Sequence, residues 1–183
     1  MIEIVTRDET TLPNELLGPA KSFLRVDHCE DDADIALMIA SAIELFQSNM
    51  GITLYPTEYL WTVEESFCNG VLDVTPEQLI TPIGEWSAWA PDATTEVTSQ
   101  YSLRRRGLHR SAFYSLKGAA QTGLSLKIAS GYTAATLPAG IRSSIFQLTS
   151  KFNEYRDVLK PANLEIPAEW FNTELAGFWV PRA

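Results

Sequence analysis

Chemistry would concentrate first in LRVDHCEDDADIALMIASAIELF, Leu24 to Phe46, where Asp27, Glu30, Asp31, Asp32 and Asp34 crowd around His28 and Cys29. Imidazole, thiolate and carboxylate are both metal ligands and acid–base groups, so the stretch has to be tested against each kind of site. A calcium loop opening at Asp27 needs Gly at the sixth place and Glu at the twelfth. Asp32 and Met38 stand there. A zinc site would draw on two His and two Cys in the whole chain, with no CxxC and no HxxxH spacing. The start of a helix needs no further residues. Asp31 can cap the exposed amides, Asp34 stands three places on as in a capping box, and the nearby acids favour the positive end of the helix dipole. No metal ligand is therefore assigned.

Other motifs fare similarly. GAAQTGLS, Gly118–Ser125, nearly spells a phosphate-binding loop. Leu124 stands where Lys must reach the phosphates, and the residues after it read as a strand rather than a helix. GxSxG is absent, and no base is placed for a Ser or Cys nucleophile. The expectation is a protein that is not an enzyme, with no catalytic residue and no cofactor. RRRGLHR is the basic patch of the chain, and Arg104, Arg105, Arg106 and Arg110 are candidate contacts to DNA phosphate or an acidic partner. A solvated hairpin tip is the plainer reading. Trp86 and Trp89, in GEWSAWAPD, could form a carbohydrate platform, although packing is the better reading of two indoles near a strand end.

The totals bound these readings. The 183 residues suggest one domain with two lobes; 45% are hydrophobic and 20% charged, enough for a real core. A net charge of −9 argues against a protein living on phosphate contacts and suits a soluble protein, or one that must not hold DNA passing nearby. Cys29 and Cys68 lie in no motif, which predicts a reducing cytoplasm and no disulfide. MIEIVTRDETT has no apolar run of a signal peptide, and no stretch approaches the ~20 apolar residues of a membrane span.

The elements that position these residues follow from periodicity. Ile2–Thr6 reads as a strand. Asn14–Arg25 reads as a helix capped by Asn14, with Leu16, Leu17, Ala20, Phe23 and Leu24 on one side. A second helix should run from Asp32 to Met50 and stop at Gly51. Ile35, Met38, Ile39, Ala42, Leu45 and Phe46 make its stripe, but Ala36, Leu37, Ala40 and Ile43 carry apolar surface around the cylinder. Such a helix is central to a bundle or forms a subunit interface, for which those last residues are the candidates. From Ile52 to Gly131 the period changes to short β-branched and aromatic runs split by Asn69-Gly70 and Pro91-Asp92, predicting a small antiparallel sandwich. Leu137–Leu159 returns to helix, with Ile141, Ile145, Leu148, Phe152, Tyr155 and Leu159 on one face and Ser143 and Ser144 elsewhere. The remainder, PANLEIPAEWFNTELAGFWVPRA, is aromatic and broken by Pro161, Pro167 and Pro181, which favour an extended arm.

AKSFLRVD, the acidic spacer, DDADIALMIASAIELFQSNMGITL, a β-rich insert and SGYTAATLPAGIRSSIFQLTSKFNEYRDVL, in that order, resemble the head–tail connector (adaptor, head-completion) proteins of tailed bacteriophages and gene transfer agents. The likeness covers most of Ala20–Leu159. Gln47 and Ile52 depart from it, where an acid and an Arg are common. The resemblance implies an α+β fold: a small helical bundle from residues 1–51 and 132–160, an inserted antiparallel β lobe at 52–131, and an extended C-terminal arm at 161–183. It implies a structural virion protein at the head–tail junction, present in host cytoplasm during assembly. Such a protein forms a ring, usually a dodecamer, under the portal and extends the DNA channel to the next neck or tail protein. Double-stranded DNA would pass without sequence-specific contact, and no membrane is involved. Trp170, Phe171, Phe178, Trp179, Val180 and Arg182 would then dock the arm on the portal or a neighbouring subunit, against a reading in which the arm folds back. Two alternatives come from other classes. One is a carbohydrate-binding or adhesive β-module using Trp86 and Trp89; the other is a metal-dependent hydrolase using His28 and its acids.

Overall fold

The computed structural model describes residues 1–63, 71–74, 83–105, 111–116 and 123–154. They form an α+β fold that divides into two compact units, one of strands and one of helices. The strand unit takes Met1–Arg7 together with the described part of Gly51–Gly131; the helical unit takes Asp8–Met50 and the described chain from Tyr132 on.

In the helical unit, α1 spans Thr11–Leu24, α2 Asp32–Met50 and α3 Ala139–Glu154. α2 packs against both of the others. Its buried face is Ile35, Ile39, Ala42, Ile43, Phe46 and Met50, each four or three residues from the next of its row. Gly51 ends the helix with φ +66°, the left-handed cap that glycine adopts without a steric cost. α3 contributes Ile141, Ile145, Leu148 and Phe152, as its periodicity predicts, but also Ser144 and Thr149. Those two hydroxyls donate back to the carbonyls of Gly140 and Ile145, at 3.0 and 2.8 Å, and so enter the core with their polarity satisfied. The expected end of this helix, Tyr155–Leu159, lies outside the described residues.

Two boundaries correct the sequence reading. α1 begins three residues before Asn14, which is a helical residue and not the cap. The cap residue is Thr10, whose own side chain makes no cap bond; the Asp8 carboxylate two residues earlier accepts the backbone N–H groups of Thr10 and Thr11 at 2.9 and 3.1 Å instead. Also, the strand β1, Ile2–Arg7, belongs with the sheet and not with the helical core. A strand leaves its backbone groups unsatisfied unless it finds an edge, and β1 finds that of β2, Thr57–Val63.

The strand unit holds a four-stranded antiparallel sheet in the order β1-β2-β7-β4, with β4 at Ile83–Trp89 and β7 at Leu124–Ser130. A three-stranded sheet has the order β3-β6-β5, from Val71–Val74, Ser111–Ser115 and Tyr101–Arg105. Strict alternation decides what each strand buries. Tyr59, Trp61 and Val63 of β2 and Leu124, Leu126 and Ile128 of β7 face one core with Phe113 and Tyr101 of the second sheet. TEVTSQYSL, which reads as one strand, is instead a 3₁₀ turn at Thr98–Gln100 followed by β5.

β7 ends at a tight spot. Gly131 has φ +105°, and a Cβ there would lie 2.2 Å from the Tyr55 carbonyl oxygen. Gly18 is the opposite case, inside α1 with nothing within 4 Å of an added Cβ. In urea denaturation, Gly18→Ala should therefore raise stability by about 0.4–1 kcal/mol, while Gly131→Ala lowers it. Phe46→Ala, at a side chain 1% exposed, should cost about 3–5 kcal/mol by the same measurement.

Candidate functional site

Two of the acids around His28, Asp31 and Asp32, take part in building the helical unit. The Asp31 carbonyl accepts the Ile35 N–H at 2.9 Å, the first hydrogen bond of α2, so Asp31 sits at the cap position. The Asp32 carboxylate pairs with the Lys21 ammonium of α1. His28 Nε2 stands 3.9 Å from an Asp31 oxygen, and Cys29 is exposed. Among the described residues no group of three His, Cys, Asp or Glu side chains converges as a metal site. The short loop between α1 and α2 is closed by backbone instead. Arg25 takes φ +59°, and the N–H of Val26 reaches the Lys21 carbonyl at 3.0 Å.

The proposed outer face of α2 is only partly available. Leu37 is 68% exposed, and Ala36 and Ala40 are half-buried beside it. Ile43 is 0% exposed, four residues from Ile39 and three from Phe46, and so belongs to the core rather than to a subunit interface. Phe23 adds a second exposed apolar group in this unit, its ring 5.9 Å from that of Phe146.

The two tryptophans do not make a platform. Residues three apart on a strand point to opposite faces. Trp86 pairs with Ile128 and meets the Phe113 ring edge-on at 5.0 Å, inside the sandwich. Trp89 pairs with Ser125 on the other face, where the Lys127 ammonium lies 4.7 Å over its ring and its Nε1–H donates to Ser87 Oγ at 2.9 Å. The glycan reading loses its geometric basis. Of the basic run, Arg104 and Arg105 lie on β5, and the Arg104 guanidinium stacks 5.1 Å from the Tyr114 ring. Arg106 and Arg110 lie outside the described residues, as do Trp170, Phe171, Phe178, Trp179, Val180 and Arg182. No helix among the described residues is long and apolar enough to cross a membrane.

Sequence reasoning missed three polar devices. Asp8 accepts the Thr10 hydroxyl at 2.8 Å and the Thr11 hydroxyl as well as their amides, which holds its carboxyl well below the usual range. Asp92 accepts the Thr94 and Thr95 amides at 3.0 and 3.1 Å, which brings its pKa down to about 2. Each is an Asp followed within three residues by two Thr, a local signal for such a turn. The third device has no local signal. The peptide at Ala134 is held from both sides, its N–H by Glu15 Oε2 at 2.9 Å and its carbonyl by Arg142 at 2.6 Å.

No protein-family model and no curated protein sequence matches the chain. Solved structures do. A chain from the neck of an empty gene transfer agent particle, computed with C6 symmetry, superposes with a TM-score of 0.69 at 16% identity, covering 100% of this chain and 97% of that one. A chain from the virion of a native gene transfer agent particle gives 0.68 at 15%, with the same coverage. A chain from the neck of a native particle, computed with C12 symmetry, gives 0.67 at 14%, again over 100% and 97%. The likeness is one of fold and runs the length of the chain.

The two depressed carboxylates give a pH dependence of known sign. Their contribution is fully present above the ordinary value of 3.8 and is lost as pH falls through the folded values, about 2 for Asp92. Melting followed by circular dichroism from pH 5 to pH 2 should show a steeper acid loss in the parent than in the Asp8→Ala/Asp92→Ala variant.

Proposed function

We propose that this chain is a structural neck protein of a tailed phage or gene transfer agent particle. It forms an adaptor ring between the portal of the filled head and the next neck or tail protein. The observation that carries the reading is the full-length match of fold to chains from gene transfer agent necks computed with C6 and C12 symmetry. The order of sequence blocks around the β insert, which resembles that of head–tail connector proteins, supports the same reading. Leu37, exposed on α2 and flanked by Ala36 and Ala40, supplies an apolar contact of the kind an interface core uses. A net charge of −9 suits a channel wall along which DNA slides without being held.

In this reading the segment from Gly177 to Ala183 docks the chain to the ring's surroundings, with Phe178 and Trp179 as anchors and Arg182 at an acidic rim. Full-length chain mixed with purified portal should co-sediment as a complex of fixed stoichiometry. Chain lacking Gly177–Ala183 should keep the parent melting temperature and fail to co-sediment. A full-length chain that stays free of portal at micromolar concentration contradicts the reading.

A further inference from the structure

The outer face of the β1-β2-β7-β4 sheet carries an open trough of about 470 Å³, lined by Val5, Glu58, Leu60, Glu85, Ser87 and Ala129 among others. Register explains its chemistry. Ala129 of β7 stands directly opposite Glu58 of β2. On the other side of β7, Ile83 pairs with Ser130 and Trp86 with Ile128, so the irregular pair Gly84 and Glu85 faces Ala129. Two carboxylates thus flank a single methyl from strands about 10 Å apart, two strand spacings. Gly84 adds no bulk, and a Cβ there would press to 3.2 Å from the Ala129 carbonyl oxygen. Glu58 and Glu85 are exposed, and among the described residues neither has an ion-pair partner. Lys127 shares the lining but directs its ammonium over the Trp89 ring.

Charge complementarity identifies an occupant. The chain is strongly acidic, yet it places Arg104, Arg105, Arg106 and Arg110 within one seven-residue run. A ring closes by heterologous contact, in which a patch on one copy meets a different patch on the next. Resting on the proposal of a ring, we infer that the Arg104–Arg110 run of one copy seats in the Glu58–Glu85 trough of the next copy. A guanidinium over Ala129 reaches a carboxylate on either side, and its apolar stem lies on Leu60 and Val5. The basic run is thereby a subunit contact and not a DNA contact.

The test uses full-length chains supplied to particles that lack the native copy, with neck-ring occupancy read by cryo-electron microscopy and folding checked by thermal melting. One variant carries Arg105→Glu, Arg106→Glu and Arg110→Glu, which spares the Arg104–Tyr114 contact; the other carries Glu58→Lys and Glu85→Lys. Each alone should lower occupancy on the order of ten-fold, since every contact then joins like charges. The two variants co-expressed should restore it, because copies alternating around an even-numbered ring again meet with opposite charges. Full occupancy by either variant alone, or no rescue in the mixture, overturns the inference. Parent chain that itself forms no ring overturns the ring proposal instead, so the two failures are told apart.

Discussion

The Tyr55 carbonyl oxygen stands 2.2 Å from where any side chain at position 131 would begin. Only glycine fits, and its φ of +105° turns the chain out of the sheet at that point. The contact fixes the entry to β2 against the exit from β7, strands that pair in continuous register from Thr57↔Ser130 to Val63↔Leu124. β7 also carries β4, so the register of both neighbours is referred to this one end. A slip by one residue would turn Leu124, Leu126 and Ile128 to solvent and empty the sandwich core. The same glycine opens the Gly131-Tyr132 block by which the sequence resembles connector proteins, and it acquires here a steric reason.

Five carboxylates of this acidic chain serve in two different ways. Asp8, Asp32 and Asp92 are held by amides, hydroxyls or an ammonium and build caps, turns and the joint between α1 and α2. Glu58 and Glu85 stand exposed on the outer face of the sheet. Asp32 shows how one member of a cluster that looks like a ligand set serves as architecture. Glu58 and Glu85 leave uncompensated charge on one surface, opposite in sign to the arginines that end β5.

Much of the fold was legible because periodicity survives burial. Asp32–Met50 was readable end to end from its acids, its apolar rows and Gly51. Strands β2 and β7 follow from alternation alone. What failed was the sense of direction around a helix nearly apolar on all sides: Ile43 reads as surface until α1 and α3 are seen against α2. The start of α1 was misplaced because Asn14 is a better isolated cap signal than Thr10, whose turn is held by Asp8 two residues earlier. Nothing local predicts that Glu15 and Arg142 hold the Ala134 peptide, since these residues are brought together only by the bundle. The trough was equally hidden, because Glu58 and Glu85 are seen to flank Ala129 of β7 only once the register of three strands is known.

A fold repeated around a particle neck has to appear, copy after copy, in the density of that neck. Cryo-electron microscopy of particles that carry the chain tests this most directly, with the neck refined without imposed symmetry. The expected result is a closed ring below the portal into which copies of the α1–α2–α3 bundle and the two-sheet unit fit with rotational symmetry. A neck whose density accepts no copy of this fold, in particles shown by mass spectrometry to contain the chain, would contradict it.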